Sequence, residues 1–500
     1  MDLFSSLLSQ ASPDFFALVF VGSLLGLVVG AVPGLSVTMA TALLISVTFT
    51  WSVNNAVALI MGVYVSGVYA GALSAIVINI PGAPSSVATT LDGFPMARQG
   101  RAAEALFTAT IHSFFGTLFG LFVLMLVIEP LTSIALAFSP LDYFLLACFG
   151  LSTVGSLTSK SFIKGMISAC LGVLFAFVGM DEYTGEHRFT FDIMELQMGI
   201  PLVAVLIGLF GFSEVLSTLA AGQQGSIAAA PGKFKPDFKT ILKQLPLSLR
   251  SSVIGVIIGA LPGTGGTVAA LLAYDNAKLT VKNPKVPFGE GAAEGVVASE
   301  SANNACIGGA LIPMLALAVP GDAVTAVILA AFYVHGLRPG PMLLQNSPDT
   351  FNVILAGGFV AAGMMLLLGL TVVPQMAKVV MIPKRLLMPM VTVLCVIGAY
   401  AVESSIYQVV IMLVFGLLGY FMRLRGYAVA PMVLGIVLGG IMDINFRKAM
   451  NLADADEGLL HMLLSQPISL CLLGMTIIAV GINLPWSKWL FSRRGASSGG

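Results

Sequence analysis

Charge is scarce in this chain: of 500 residues only 10% are Asp, Glu, Lys or Arg, and the formal net charge is zero. A soluble chain of this length needs far more charge to cover its surface, and a nucleic-acid partner would call for a basic excess. Both readings are excluded. Cysteine is equally sparse. Cys148, Cys170, Cys306, Cys395 and Cys471 stand singly in apolar segments without CxxC spacing, which suggests neither a disulfide framework nor a cysteine metal site. The amino end, "MDLFSSLLSQASPDFF", has no Lys or Arg before its first apolar segment and no small-residue cleavage site, so no signal peptide is expected. The glycine-rich stretch "GALPGTGGTV" at 259–268 lacks the lysine of a phosphate-binding loop, the next one being Lys278. ATP hydrolysis is not expected. No pairing of nucleophile and base and no metal-ligand spacing supports an intramembrane enzyme.

What the sequence has in abundance is apolar length: 57% of residues are hydrophobic and the mean hydropathy is +0.97. Runs long enough to cross a hydrocarbon core of about 30 Å recur throughout. We read apolar segments at 15–32, 35–49, 55–80, 102–128, 131–150, 162–180 and 198–220, then at 252–261, 264–278, 291–319, 322–337, 351–373, 386–402, 404–422, 427–442 and 462–484. The expected fold is an all-α polytopic membrane protein. Residues 221–250, rich in Gln, Gly, Pro and Lys, read as a linker between 1–220 and 251–442, and 443–500 as an extra carboxy-terminal helix with a tail.

Lys and Arg are retained on the cytoplasmic side of short loops. Lys233, Lys235, Lys239, Lys243 and Arg250 therefore place the linker inside, as do Arg98, Arg101, Lys160 and Lys164 for two earlier loops and Lys278, Lys282 and Lys285 for a later one. Lys378, Lys384, Arg385, Arg423, Arg425, Lys488, Arg493 and Arg494 mark further inside loops, whereas the acidic 181–195 should lie outside. These marks agree only if 322–337 dips into the membrane without crossing. The two halves then enter from opposite sides in matching order, as two inverted-topology repeats.

A Pro-Gly recurs at corresponding places, first as Pro33-Gly34 and Pro262-Gly263, then as Pro81-Gly82 and Pro320-Gly321. Proline removes a donor and glycine admits conformations closed to other residues, so each pair interrupts a helix. The outcome is either broken helices or re-entrant hairpins. Inverted repeats with broken helices are the architecture of secondary transporters, whose site lies where the repeats meet. The helix after each break offers free N–H groups suited to a carboxylate. Ser36, Thr38, Thr264 and Thr267 add hydroxyls there, and Asn79 stands beside the second break. Kinks that only serve packing are the competing reading.

The stretch "ASESANNACIGGALIP" at 298–313 puts Ser299, Glu300, Ser301, Asn303 and Asn304 inside an apolar run. Polar groups at membrane depth are costly and line pathways, and amide oxygens suit a hard cation such as Na⁺. Ser299, Glu300, Asn303, Asn304 and Asp322 are accordingly the candidate coupling-cation residues, with Na⁺ or H⁺ as the ion and no other cofactor. An interhelical hydrogen-bond cluster without ligand is the alternative for the Asn pair, and a helix cap for Asp322. Asp92 reads as a cap or as an ion-pair partner of the nearby arginines.

The long motifs "GAVPGLSVTMATALLISVTF", "GALSAIVINIPGAPSSVATTLDGFPMARQG", "GALPGTGGTVAALLAYDNAK" and "FGEGAAEGVVASESANNACIGGALIPMLALAVPGDAVTAVILAAFYVHGLRPGP" resemble the large membrane subunit of tripartite tricarboxylate transporters, the TctA-type permeases. The likeness covers nearly the full length. Ser36, Ser46 and Ser299 depart from it, standing where the family has Gly, Pro and Pro. The resemblance implies a bacterial inner-membrane permease that imports organic di- or tricarboxylates on an ion gradient. It also implies a small four-helix membrane subunit and a periplasmic solute-binding protein as partners, without an ATPase. By motif position it implies Pro33, Gly34, Ser36, Pro262, Gly263, Thr264, Asn303 and Asn304 as contacts. A carboxylate channel or passive pore is the alternative.

Overall fold

A computed structural model describes residues 12–157, 161–181, 184–221, 238–371, 384–455 and 458–483. Residues 222–237 of the expected linker, and the charge marks Lys160, Lys233, Lys235, Lys378, Lys488, Arg493 and Arg494, lie outside them. The described chain is almost wholly helical. Its helices are α1 (Pro13–Ala31), α2 (Val37–Thr48), α3 (Val53–Ile78), α4 (Val87–Arg98), α5 (Ala102–Ala135), α6 (Pro140–Leu157) and α7 (Phe162–Ala176), followed by strands β1 (Gly179–Met180) and β2 (His187–Arg188). Next come α8 (Met194–Gln197), α9 (Leu202–Leu206), a π-helical stretch Ile207–Phe212 and α10 (Ser213–Ala221). The second half holds α11 (Phe238–Gly259), α12 (Gly265–Thr280), α13 (Ala293–Leu317), α14 (Ala323–Val334), α15 (Pro341–Asn346) and α16 (Pro348–Thr371). It ends with α17 (Lys384–Glu403), α18 (Ile406–Leu424), α19 (Ala430–Ala455), α20 (Leu459–Ser465) and α21 (Pro467–Asn483). Eight of these stretches are long and apolar enough to cross a membrane.

Two compact units divide the chain, one of Met1–Thr132 with Val203–Tyr420, the other of Ser133–Leu202 with Phe421–Gly500. In the first unit α3 and α13 are the central helices, buried without interruption over 56–78 and 295–316. Each is partnered by a helix that approaches backbone to backbone. On α1, Gly26 and Gly30 lie against the Val63 and Gly67 carbonyls of α3; on α11, Gly255 and Gly259 lie against those of Ala302 and Cys306 on α13. A Cβ at any of the four would collide with the facing helix. Small residues spaced by four are how membrane helices, lacking a hydrophobic drive to associate, gain contact. The outer sides of α1 and α11 carry exposed Phe20, Leu24, Val253 and Ile257, which suit a lipid environment.

In the second unit a buried carboxylate organises the connection after α7. Asp181 receives Arg447 at 3.0 Å and Arg188 at 3.7 Å, while Asp443 receives Arg188 at 2.6 Å and Arg447 at 3.1 Å. This pins the hairpin of β1 and β2 to α19. Hydrogen bonding and attraction from Asp443 and Asp181 raise the Arg188 guanidinium above its ordinary value, so the network keeps its cation at all accessible pH.

Several boundaries differ from the sequence reading. Residues 238–250 of the expected linker are already helical as the first turns of α11. Helix α5 continues through Pro130 to Ala135 instead of ending near Ile128; one proline removes one hydrogen bond, which 34 helical residues absorb. The position expected to end the second half, Met442, falls inside α19. The apolar run 462–484 is not one straight helix: α20 and α21 meet at 97°, because Pro467 forces Gln466 into an extended conformation. Helices α2 and α14, of 12 residues each, rise only about 18 Å and cannot span the core alone.

Replacing Gly26 by Val should cost about 1–3 kcal/mol of stability, the usual penalty for overpacking a tight interface. Gly363, with nothing within 4 Å of its Cβ position, should tolerate the same change. Thermal unfolding of the two purified variants checks this.

Candidate functional site

The first unit gathers all four breaks, and each has a physical reason. After α1, Gly34 takes φ 95°, and Ser36 restarts the helix as α2 by accepting a hydrogen bond from the Met39 amide at 3.1 Å. Thr218 of α10 donates to the Gly34 carbonyl at 3.5 Å, and Pro33 is buried. After α11, Gly263 takes φ 74° and Gly265 φ 65°. Here the hydroxyl of Thr264 turns backward, to the Leu261 carbonyl at 3.0 Å and to that of Ile258, so α12 begins without a side-chain cap. Gly34, Ser36 and Thr38 in the first half, and Gly265, Gly266 and Thr267 in the second, are partly accessible, whereas Pro262, Gly263 and Thr264 are buried.

The second breaks are alike in backbone. Asn79 closes α3 at φ 57°, ψ 27°, and Ala318 closes α13 at φ 57°, ψ 25°; both are left-handed and each stands two residues before its Pro-Gly. Gly82 packs on the Gly30 carbonyl and Gly71, and Gly321 on the Gly259 carbonyl and Ala310, again at corresponding positions. Beyond the first lies a 3-10 turn, Pro84–Ser86; beyond the second, Asp322 caps α14 by accepting from the Thr325 amide at 2.7 Å. A Thr325 hydroxyl that accepts from the Asp322 amide completes a capping box.

The tips then cross between the halves. The 3-10 turn packs against α12, and α14 packs against α2. The tyrosine hydroxyl of Tyr64, on α3, donates to Asp322 Oδ2 at 2.8 Å. Its positional counterpart on α13 is Asn303, since each stands fifteen residues before the left-handed residue that ends its helix. Asn303 abuts Gly266, where a Cβ would strike Asn303 Oδ1 and come 3.2 Å from Ser85 Cβ.

The five candidate cation residues are distributed over three environments. Glu300, fully buried, accepts from Thr89 at one oxygen and from Ser113 at 3.0 Å on the other. Asn304 donates to Ser113 Oγ at 2.8 Å and to the Glu300 carbonyl at 3.2 Å, and Thr117 reaches Asn304 Oδ1 at 3.5 Å. Ser299 is 3.2 Å from Thr89 Oγ1, and Ser301 is 2.7 Å from Ser248 Oγ. Asn303 faces Gly266 and Ser85 instead, and Asp322 faces Tyr64. Consecutive helical residues point about 100° apart, so the Asn pair could not share one environment. Among the described residues no group of three or more His, Cys, Asp or Glu could hold a metal ion.

Sequence reasoning missed Thr89, Ser113 and Thr117. The available signal was the hydroxyl pair four residues apart in α5, which puts both on one face. Tyr64 and Ser85 gave none. Asp92 instead holds the segment that leads into α13: its Oδ1 accepts from the amides of Gly289, Gly291 and Ala292, each at 2.8 Å, and its Oδ2 from Tyr274 at 2.9 Å. Arg101 pairs with Glu104 at 2.9 Å.

Residues 16–434 match the family model described as the tripartite tricarboxylate transporter TctA family. An uncharacterized 52.8 kDa protein in the TAR-I ttuC' 3' region of Agrobacterium vitis is 36% identical over 492 residues, covering 97% of each chain. An uncharacterized protein in the TAR-II ttuC' 3' region of the same organism is 34% identical over 230 residues, 46% of this chain and 93% of its own length. No solved structure matches significantly.

Asn304→Ala removes hydrogen bonds that join α13 to α5. Each lost intramembrane bond should cost about 0.6 to 2 kcal/mol. Unfolding of the purified chain measures it, and an unchanged midpoint would show that the Glu300 network does not hold these helices.

Proposed function

The chain belongs to the tripartite tricarboxylate transporter TctA family, and on that premise we propose that it is the permease of a secondary-active importer of a di- or tricarboxylate or related organic acid. Import is coupled to a gradient of Na⁺ or H⁺ across the bacterial inner membrane. A periplasmic solute-binding protein delivers the substrate, and a small four-helix subunit completes the membrane part. The two halves act as inverted repeats that expose the site alternately to either side.

One observation carries this reading: partly accessible, broken backbone from both halves converges in a unit whose central helices are otherwise buried. Non-helical backbone at membrane depth is tolerated where it is enclosed by protein or lines a water-filled cavity. The corresponding glycine contacts and left-handed residues support the repeat. The substrate-facing groups are then those of the first breaks, Pro33, Gly34, Ser36, Thr38, Pro262, Gly263, Thr264 and Thr267, with Asn79 at the second. Backbone amides do much of this work, since the Ser36 and Thr264 hydroxyls are already engaged. Glu300, with Ser299 and Asn304 around it, and Asp322 are the groups for the coupling ion. Glu300 is held by hydroxyl donors, and Asp322 by hydroxyls and the Thr325 amide.

Proteoliposomes holding both membrane subunits, supplied with the binding protein and radiolabelled di- and tricarboxylates, test the proposal. Accumulation above the outside concentration is expected only with a cation gradient and the binding protein, and Glu300→Gln should uncouple it. Simple equilibration would indicate a passive pore. Full-rate uptake without the binding protein would contradict delivery.

A further inference from the structure

The two helices that restart after the first Pro-Gly of each half differ in one respect. Helix α2 is closed by its own Ser36, as α1 is by Ser12, α3 by Ser52 and α14 by Asp322. Helix α12 has Thr264 at its cap position in helical conformation, with the hydroxyl turned away to carbonyls of the preceding segment. The opening turn of a helix leaves N–H groups without intrahelical acceptors, and no side chain of the cap position serves these.

A second observation points to the same place. Asn303 is 1% exposed, and neither Nδ2 nor Oδ1 of its amide has a hydrogen-bond partner. That amide lies against Gly266, the second residue of α12, beside Ser85. A buried amide with both ends unpaired is costly, and native chains carry such a group where something else completes it. Its neighbour Asn304, on the same helix, is bonded on every side. Gly265 and Gly266 leave the turn without side chains, and Gly265, Gly266, Thr267, Val268 and Ser85 are partly accessible.

We propose that the opening turn of α12 and the side-chain amide of Asn303 form a carboxylate-binding subsite, so that substrate is anchored on the break of the second half and not symmetrically on both. This rests on reading the chain as a carboxylate transporter. The chemistry is that of hydrogen-bond donation: carboxylate oxygens accept from N–H groups of the turn that no cap side chain serves, at the positive end of the helix dipole, and from Asn303 Nδ2, while Asn303 Oδ1 stays against Gly266. Asp322 also stands near, its Cβ 3.4 Å from the Cβ position of Gly265. Its Oδ1 already accepts from Thr325 and its Oδ2 from Tyr64, so its lone pairs are turned to those donors. In the first half the corresponding turn is closed by Ser36, and the residue corresponding to Asn303 is Tyr64, whose hydroxyl is bonded.

The test measures melting of the full-length chain in detergent with choline succinate, choline citrate or choline chloride at equal ionic strength, and separately with NaCl. Succinate or citrate should raise the melting temperature of the wild type saturably above chloride. Asn303→Ala should melt at or above the wild type without carboxylate, because an unpaired buried amide is gone, and should lose the carboxylate shift. Asn303→Asp, isosteric but acidic, should lose the shift as well. Asn304→Ala should melt lower yet keep it. The proposal is overturned if neither carboxylate shifts the wild type, if the Asn303 variants keep the shift, or if they lose an Na⁺ response instead. Uptake by the assembled system without any effect of the Asn303 variants on the shift would overturn this subsite alone. A normal Asn303-dependent shift without uptake would overturn only the transport reading.

Discussion

Backbone that leaves a helix inside a membrane must satisfy its amide and carbonyl groups locally, and this constraint organises the first unit. The chain breaks four times, at Pro33-Gly34, Pro81-Gly82, Pro262-Gly263 and Pro320-Gly321. Two of the restarts carry a side-chain cap, Ser36 at α2 and the Asp322–Thr325 box at α14. The other two, at α4 and α12, have none, and at α12 the helix end is set against Asn303. A carboxylate bound there would accept from the helix end and from Asn303 Nδ2 together.

Close helix approach makes that placement achievable. Glycines of α1 and α11 let α3 and α13 pack at backbone distance, and the same glycine rows end where Gly82 and Gly321 tuck under the Gly30 and Gly259 carbonyls. Without side chains at these points the tips could not reach the opposite half. The Glu300 network works beside them as a second device, joining α13 to α4 and α5 through Thr89 and Ser113 with no basic residue. A carboxylate held only by hydroxyls can change its charge without breaking an ion pair.

Much of this was legible in the sequence. Apolar length gave the helices, and Pro-Gly gave the breaks. The family was legible in the long motifs around the breaks. Tertiary facts were not. Nothing in "SANNA" says that Asn304 is bonded within a network and Asn303 is not, because helical rotation separates neighbours and only the facing helices decide what each meets. Asp92 reads as a cap or as a partner of adjacent arginines because only sequence neighbours are in view, while the amides it holds lie nearly two hundred residues away. Pro130 reads as a terminator because a proline removes a donor, and the flanking turns of α5 outweigh it.

On the proposed function, the breaks line a water-filled site at membrane depth. Single cysteines at Ser36, Asn79, Ser85 and Thr267, in a background without the five native cysteines, can be probed with a small membrane-impermeant thiol reagent from each face of oriented vesicles. Reaction is expected at these positions, slowed by a transported carboxylate, and none at Ser66 or Ala305, which lie buried within the central helices. Absence of reaction at all four positions from both faces would contradict it.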